Sequence, residues 1–324
     1  MASKPGVRTP REECALAPPG GHAPARRWRR RSSAPALLQA LRVRQWTKNV
    51  LVFLAPASAG ALGHLHPFLE VLATFGIFCA ASSATYLFND SMDAESDRYH
   101  PDKRHRPIAA GRLSIRVAIS VGLGLAAVAL ATAWALAGWK LALVVVAYVG
   151  LSAAYTLHFK REPVIELAFV ASGFVLRAIA GGVATHVPLS NWFLAVTCFG
   201  ALFMATGKRA AELQILGENP ENHRRALSAY SQSFLHSVLT LTASVTVTSY
   251  CLWAFGSSGL AMTDRHDQIW IELTVIPMVL GVLHVLRRLD GGEGGAPEDL
   301  VLGDRILQSI GLAWLALFAV GVYT

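Results

Sequence analysis

The chain reads as an all-α integral membrane protein, a bundle of nine transmembrane helices with its polar residues gathered on the cytoplasmic side. Three observations carry that expectation. Hydrophobic residues make up 53% of the 324 positions and charged residues 15%, with a mean hydropathy of +0.41, too apolar for a soluble globular protein. Apolar stretches recur along most of the length, each near the roughly 20 residues that a hydrocarbon core of about 30 Å requires. The basic residues fall almost entirely in alternate connections between those stretches.

The expected spans run near 47–63, 67–88, 114–137, 141–157, 164–184, 192–206, 234–255, 269–286 and 306–322. The first, fourth and sixth are short or polar at one end. Of the basic residues flanking these spans, 23 lie on one side, including Arg42, Arg44 and Lys48, the run from Arg98 to Arg116, Lys160, Lys208 and Arg209. Only Lys140 and Arg265 lie on the other. The positive-inside rule then places the N-terminus in the cytoplasm and the C-terminus outside the cell membrane. The net charge of +8 is spread over separate loops, which fits membrane topology and anionic ligands and argues against nucleic acid as a partner.

Residues 1–34, rich in Pro, Gly, Ala and Arg and without apolar periodicity, read as a disordered basic cytoplasmic tail preceding a single domain over 35–324. Cys14, Cys79, Cys198 and Cys251 are scattered and imply neither a disulfide frame nor a zinc site. The Gly-rich acidic stretch 290–304 reads as a connector.

The second span ends in Asn89-Asp90-Ser91-Met92-Asp93-Ala94-Glu95-Ser96-Asp97. Carboxylates are expensive beside a bilayer unless they have a task. If the helix continues through them, Asp90, Asp93 and Asp97 share one face at i, i+3 and i+7, with Asn89 one turn before Asp93. Such hard oxygen donors suit Mg²⁺, which completes its octahedron with waters and substrate phosphate oxygens. The metal-ligand candidates are therefore Asn89, Asp90, Asp93 and Asp97. The plainer reading is a solvated acidic helix end, against which stands the basic loop that follows, RYHPDKRHRPIAAGRLS. There Pro101 and Pro107 break helix, Gly111 permits a turn, and Lys103, Arg104 and Arg106 offer donors to phosphate oxygens.

Further candidates lie at other cytoplasmic span ends. Lys48 opens the first span and reads either as a snorkelling topology residue or as a ligand contact. Tyr155 and Lys160 close the fourth in AYTLHFKREPVIEL, Tyr155 reading equally as an interfacial belt aromatic. Lys208, Arg209 and Glu212 close the sixth, suggesting a second substrate-contacting edge. Arg177 lies roughly 20 Å from the cytoplasmic end of its span at about 1.5 Å per residue, so it is either paired in the bundle or snorkels outward. No catalytic role is assigned to it, and the glycines after it read as helix-packing positions.

Asn89-Asp90-x-x-Asp93-x-x-x-Asp97, followed by Lys103-x-x-Arg106-Pro107 and Gly111, resembles the first aspartate-rich motif of the UbiA-type prenyltransferase superfamily, with the RQWTKN opening adding to the match. The resemblance covers about residues 35–324. It implies a nine-helix, magnesium-dependent membrane enzyme with a cytoplasmic-side active site that handles polyprenyl diphosphates. One departure stands out. Where aromatic prenyltransferases carry a second acidic motif after the sixth span, this chain has Gly207-Lys208-Arg209-Ala210-Ala211-Glu212, so a phosphate would meet Lys and Arg directly.

That departure, with GKRAAELQ, YCLWAF and GGAPEDLVLGDRILQ, is similar to an actinobacterial branch of the superfamily. The similarity implies transfer of 5-phosphoribose from 5-phosphoribosyl 1-diphosphate to decaprenyl phosphate, a polyprenyl phosphate lipid, toward the arabinose donor of cell-wall arabinogalactan. Asp90, Asp93 and Asp97 are then the expected catalytic residues. The expected substrate contacts are Lys48, Asn89, Lys103, Arg106, Tyr155, Lys160, Lys208, Arg209 and Glu212. A UbiA-type transferase acting on an aromatic acceptor is the alternative. A homo-oligomer is compatible with the sequence.

Overall fold

The computed structural model describes residues 35–100, 103–216, 229–256, 265–291 and 303–324. The expected tail over 1–34 and most of the connector 290–304 lie outside the described residues. Residues 35–324 cluster as one compact unit, and every regular element described is helical. In chain order these are α1 (Ala36–Ala40), a 3₁₀ helix (Val43–Phe53), α2 (Leu54–Ser58), α3 (Leu65–Met92), α4 (Ala94–Tyr99), α5 (Ile115–Leu157), α6 (Ile165–Ala184), α7 (Asn191–Leu216), α8 (Gln232–Phe255), α9 (Arg265–Leu273), α10 (Val275–Asp290) and α11 (Arg305–Tyr323), with 3₁₀ turns at Ala61–Gly63, Lys103–His105 and Phe159–Arg161.

Among the described residues, six stretches are long and apolar enough to cross a bilayer: Leu65–Met92, Ile115–Leu157, Ile165–Ala184, Gln232–Phe255, Gln268–Asp290 and Arg305–Tyr323. They make this a multi-pass membrane protein. One expected span takes a different form. The segment 47–63 holds the 3₁₀ helix and α2 rather than one long α-helix. The spans expected at 114–137 and 141–157 are the two helical pieces of α5, which part at Ala137 (φ −137°) and Gly138 (φ 67°, ψ −158°). An unbroken 43-residue helix is about 65 Å long, twice the hydrocarbon thickness, so the break divides it into two membrane-length pieces. Gly138 bears the positive φ that a side chain would oppose.

The outward faces carry the large apolar residues, among them Leu123, Leu143, Leu312 and Leu315, as lipid contact requires. Small residues face inward: Ala118, Gly122, Ala129 and Ala133 form the buried stripe of the first half of α5, and along it α3 packs closely. Phe78, Val71, Leu141, Val145, Tyr148 and Val52 fill one core cluster. A second joins Leu167, Phe203, Leu235, Leu239 and Leu289. Gly181 of α6 lies against the backbone of the 3₁₀ helix, where a built Cβ would stand 1.8 Å from the Val52 carbonyl oxygen. Small residues after Arg177 thus do let segments approach.

The α11 N-terminus is tied down by Asp304, whose Oδ1 accepts from the N–H groups of Ile306 (2.9 Å) and Leu307 (3.2 Å) while Oδ2 stands 2.7 Å from His284 Nε2. The His284 hydrogen bond, with help from the two N–H groups, holds the Asp304 carboxyl down at about 2 against the opposing effect of burial. A depressed carboxylate stabilises the fold above its ordinary pKa of about 3.9, and that contribution is lost as pH falls toward the folded value. Asp304→Ala is therefore expected to lower the melting temperature at neutral pH, the gap to wild type closing as pH drops from about 4 to about 2. Thermal unfolding in detergent across that window checks it, and a gap constant with pH contradicts it.

Candidate active site at the acidic end of α3

Asn, Asp and Ser favour local backbone contacts over helix, and six of them crowd into 89–97. Accordingly α3 ends at Met92, Asp93 caps it with φ −91° and ψ 1°, and α4 starts at Ala94. The helical bonds Asp93 N–H to Asn89 O (2.9 Å) and Asp97 N–H to Asp93 O (2.8 Å) span the junction. The single acidic face expected from an unbroken helix is not what forms. Asp90 and Asp97 turn to one set of partners and Asp93 to another.

Asp90 and Asp97 are both buried. A single nitrogen, Arg106 Nη1, donates to Asp90 Oδ1 (3.1 Å) and to Asp97 Oδ2 (2.6 Å). Arg42 closes the other side of Asp90, Nη2 donating to Oδ1 at 2.6 Å and Nε to Oδ2 at 3.2 Å. Its guanidinium lies 4.9 Å from the centre of the Tyr86 ring, and its backbone is left-handed with φ 54°. The basic loop is folded back onto this cluster: Arg98 Nε donates to Ala109 O, and Gly111 (φ 72°) makes the turn that brings Arg112 N–H to Pro107 O at 2.9 Å. Lys103 opens the 3₁₀ turn Lys103–His105 in the same loop.

Asp93 points instead to the C-terminal end of α5, where its Oδ1 pairs with Lys160 Nζ. Beside them Thr156 Oγ1 donates to Asn89 Oδ1 at 3.2 Å. A cleft of about 370 Å³ opens there, lined by Asp93, Glu95, Tyr99, Thr156, Lys160 and Arg161 among others. Lys48, half-buried, sits on the 3₁₀ helix beside buried Asn49.

The third cluster contains a residue that sequence reasoning missed. Glu166, fully buried in the first turn of α6, accepts from Arg209 Nε (2.6 Å) and Nη2 (2.7 Å), while Arg209 Nη1 donates to Glu212 Oε2 at 2.5 Å. Tyr155 is close enough to interact electrostatically with Arg209. Arg209 is thus engaged by two carboxylates, Glu166 and Glu212, and Lys208 beside it is exposed. The only sequence signal for Glu166 was a lone acid entering an apolar stretch. Removing one member of a buried pair strands the other charge, so Glu166→Ala is expected to cost about 3–5 kcal/mol. Thermal unfolding checks this; pairing Glu166→Leu with Arg209→Met should restore much of the loss.

Among the described residues no three His, Cys, Asp or Glu side chains are gathered as a cation cage. The donor set nonetheless fits a hard dication: carboxylates and an amide oxygen lie within two turns, and oxygens of Asp90 and Asp97 already converge on one cationic nitrogen.

Residues 50–310 match the UbiA prenyltransferase family, and the chain belongs to that family. Two curated relatives are decaprenyl-phosphate phosphoribosyltransferases. That of Mycolicibacterium smegmatis is 42% identical, covering 89% of this chain and 92% of its own length. That of Corynebacterium glutamicum is 40% identical, covering 90% and 87%. Among solved structures, a UbiA homolog from Archaeoglobus fulgidus bound to GPP and Mg²⁺ superposes with a TM-score of 0.64 at 20% identity, covering 88% of this chain and 98% of that one, which establishes the shared fold.

Proposed function

We propose that this protein is a magnesium-dependent pentosyltransferase that moves 5-phosphoribose from 5-phosphoribosyl 1-diphosphate to decaprenyl or another polyprenyl phosphate, releasing diphosphate. The observation that carries this reading is the 42% identity to a decaprenyl-phosphate phosphoribosyltransferase over 89% of the chain. The reading takes nine crossings, a cytoplasmic N-terminus preceded by a basic tail over 1–34, and a site facing the cytoplasm of a bacterial cell. The charge bias of the loops supports that orientation.

Asn89, Asp90, Asp93 and Asp97 are the proposed metal ligands. Bound there, magnesium would neutralise charge building on the leaving diphosphate as the ribose C1–O bond breaks. Arg42 and Arg106, which already touch Asp90, and Lys103 of the same loop as Arg106 would offer further donors to diphosphate oxygens. Carboxylates near C1 stabilise the oxocarbenium-like ribose, as in glycosyl transfer generally. The acceptor is already a phosphate anion with a second pKa of about 6, so no Ser, Cys or His base is required.

Lys48, Tyr155, Lys160 and Lys208 are the proposed contacts for the acceptor phosphate and the ribose 5-phosphate. Arg209, anchored on Glu166, presents the half-exposed carboxylate of Glu212, suited to accept from a ribose hydroxyl. The polyprenyl chain needs only apolar surface. The groove of about 490 Å³ lined by Ala73, Gly76, Ala80 and Val128 among others supplies some along α3 and α5.

The test uses purified protein in lipid with magnesium, radiolabelled 5-phosphoribosyl 1-diphosphate and decaprenyl phosphate. Label entering the organic phase, abolished by EDTA, is the expected result. Transfer of a polyprenyl group to an aromatic acid, with no ribose label moved, overturns it.

A further inference from the structure

Arg177 lies within α6 and is 5% exposed. Among the described residues no carboxylate forms an ion pair with it. Dipoles and rings surround it instead. Nε donates to Asn49 Oδ1 at 2.8 Å, Nη1 to the Gly173 carbonyl at 2.5 Å and Nη2 to the Tyr148 hydroxyl at 2.8 Å. Its Cζ stands 4.7 Å from the centre of the Tyr148 ring and 5.9 Å from those of Phe78 and Phe174. A guanidinium inside a membrane-spanning bundle is expensive, and an apolar side chain of similar volume fills such a place at less cost. The charge therefore does something that core filling does not.

What it holds is Asn49, which is fully buried and donates through Nδ2 to Cys79 Sγ and Ser82 Oγ, each at 3.3 Å. Asn49 belongs to the 3₁₀ helix Val43–Phe53, 11 residues long. Runs of 3₁₀ beyond three or four residues are uncommon because their hydrogen bonds are poorly aligned. Side chains hold this one to its neighbours: Arg42 on Asp90, Trp46 Nε1 on Ser83 Oγ at 3.0 Å, and Asn49 between α3 and Arg177. The same short helix carries Lys48 and is capped by Arg42.

We propose that Arg177 is a positioning residue that acts through Asn49 to fix the 3₁₀ helix, and so sets where Arg42 and Lys48 stand relative to the acidic cluster. The kinetic consequence rests on the transferase reading; the positional one does not.

The experiment separates them. In a chain with Cys14, Cys198 and Cys251 replaced by serine, Cys79 is the remaining thiol and its Sγ reports the seat of Asn49. N-ethylmaleimide labelling of Cys79 is expected to quicken about tenfold in Arg177→Gln and in Asn49→Ala, with Arg177→Lys between them and wild type. In the transfer assay both variants raise KM for 5-phosphoribosyl 1-diphosphate about tenfold with a much smaller change in kcat, and Arg177→Gln adds little once Lys48→Ala is present. Unchanged labelling in a folded variant overturns the proposal. So do intact kinetics beside a lowered melting temperature, or effects that simply multiply with Lys48→Ala. If Arg177→Gln fails to fold, Asn49→Ala and Arg177→Lys decide the question alone. A wild type that transfers no ribose removes the proposed function and leaves the labelling arm to judge Arg177.

Discussion

Asp93→Asn is expected to lower transfer turnover by about a hundred- to thousandfold, the loss that follows removal of one preorganised electrostatic group from a reacting centre. Asp93 is the acid best suited to this test. Asp90 is gripped by two arginines and Asp97 by one of them, so neutralising either disturbs the packing of Arg42 or Arg106. The Asp93 side chain is 23% exposed beside the cleft and pairs with Lys160 at a helix end. Asparagine keeps its volume and one oxygen while discarding the charge. The variant should elute and melt like wild type, and Mn²⁺ binding followed by electron paramagnetic resonance should weaken in parallel with turnover. Wild-type turnover in a well-folded Asp93→Asn protein would remove Asp93 from the metal and diphosphate site.

Gly181→Ala is expected to disrupt the fold rather than the chemistry. The added methyl meets the Val52 carbonyl oxygen at 1.8 Å and its carbon at 2.8 Å, with Pro56 Cδ at 3.3 Å. These are backbone and ring atoms that cannot rotate away. Overpacking a closed site costs about 1–3 kcal/mol and occasionally more, and here relief requires moving the 3₁₀ helix that carries Asn49 and Lys48. A large fall in melting temperature, or loss of the protein from detergent extracts, is the expected readout. Gly76→Ala is the control: nothing lies within 4 Å of its built Cβ, and alanine gains up to about 1 kcal/mol of helix propensity there. A Gly181→Ala protein as stable as the Gly76→Ala control contradicts the close approach of α6 to Val52.

Both expectations depend on features of unequal legibility. The acidic and basic segments around 89–112 were readable because charge at the end of an apolar stretch is a local signal. The turn at Gly111 followed from the same loop. The break at Asp93 was foreshadowed by its Asn, Asp and Ser neighbours, yet a continuous helix kept all three aspartates on one face, and only the backbone separates them. Arg209 looked like a phosphate ligand because the sequence shows its charge and not its partner, Glu166, 43 positions away. Arg42 was counted among topology residues, and its bidentate hold on Asp90 links positions 48 apart. For Arg177 the sequence left pairing and snorkelling both open, and the structure selects pairing with Asn49, 128 positions earlier.

The sequence by itself determined that the chain crosses a membrane many times and that its acids and bases collect at span ends. Both properties follow from the solvation of each residue separately, summed over a window the width of a bilayer. The tertiary structure decided which charge meets which: Asp90 and Asp97 on Arg106, Asp93 on Lys160, Glu166 on Arg209, Arg177 on Asn49. Such pairings depend on distances of a few ångströms between segments that only the packing of small residues, Gly181 against Val52 above all, brings together.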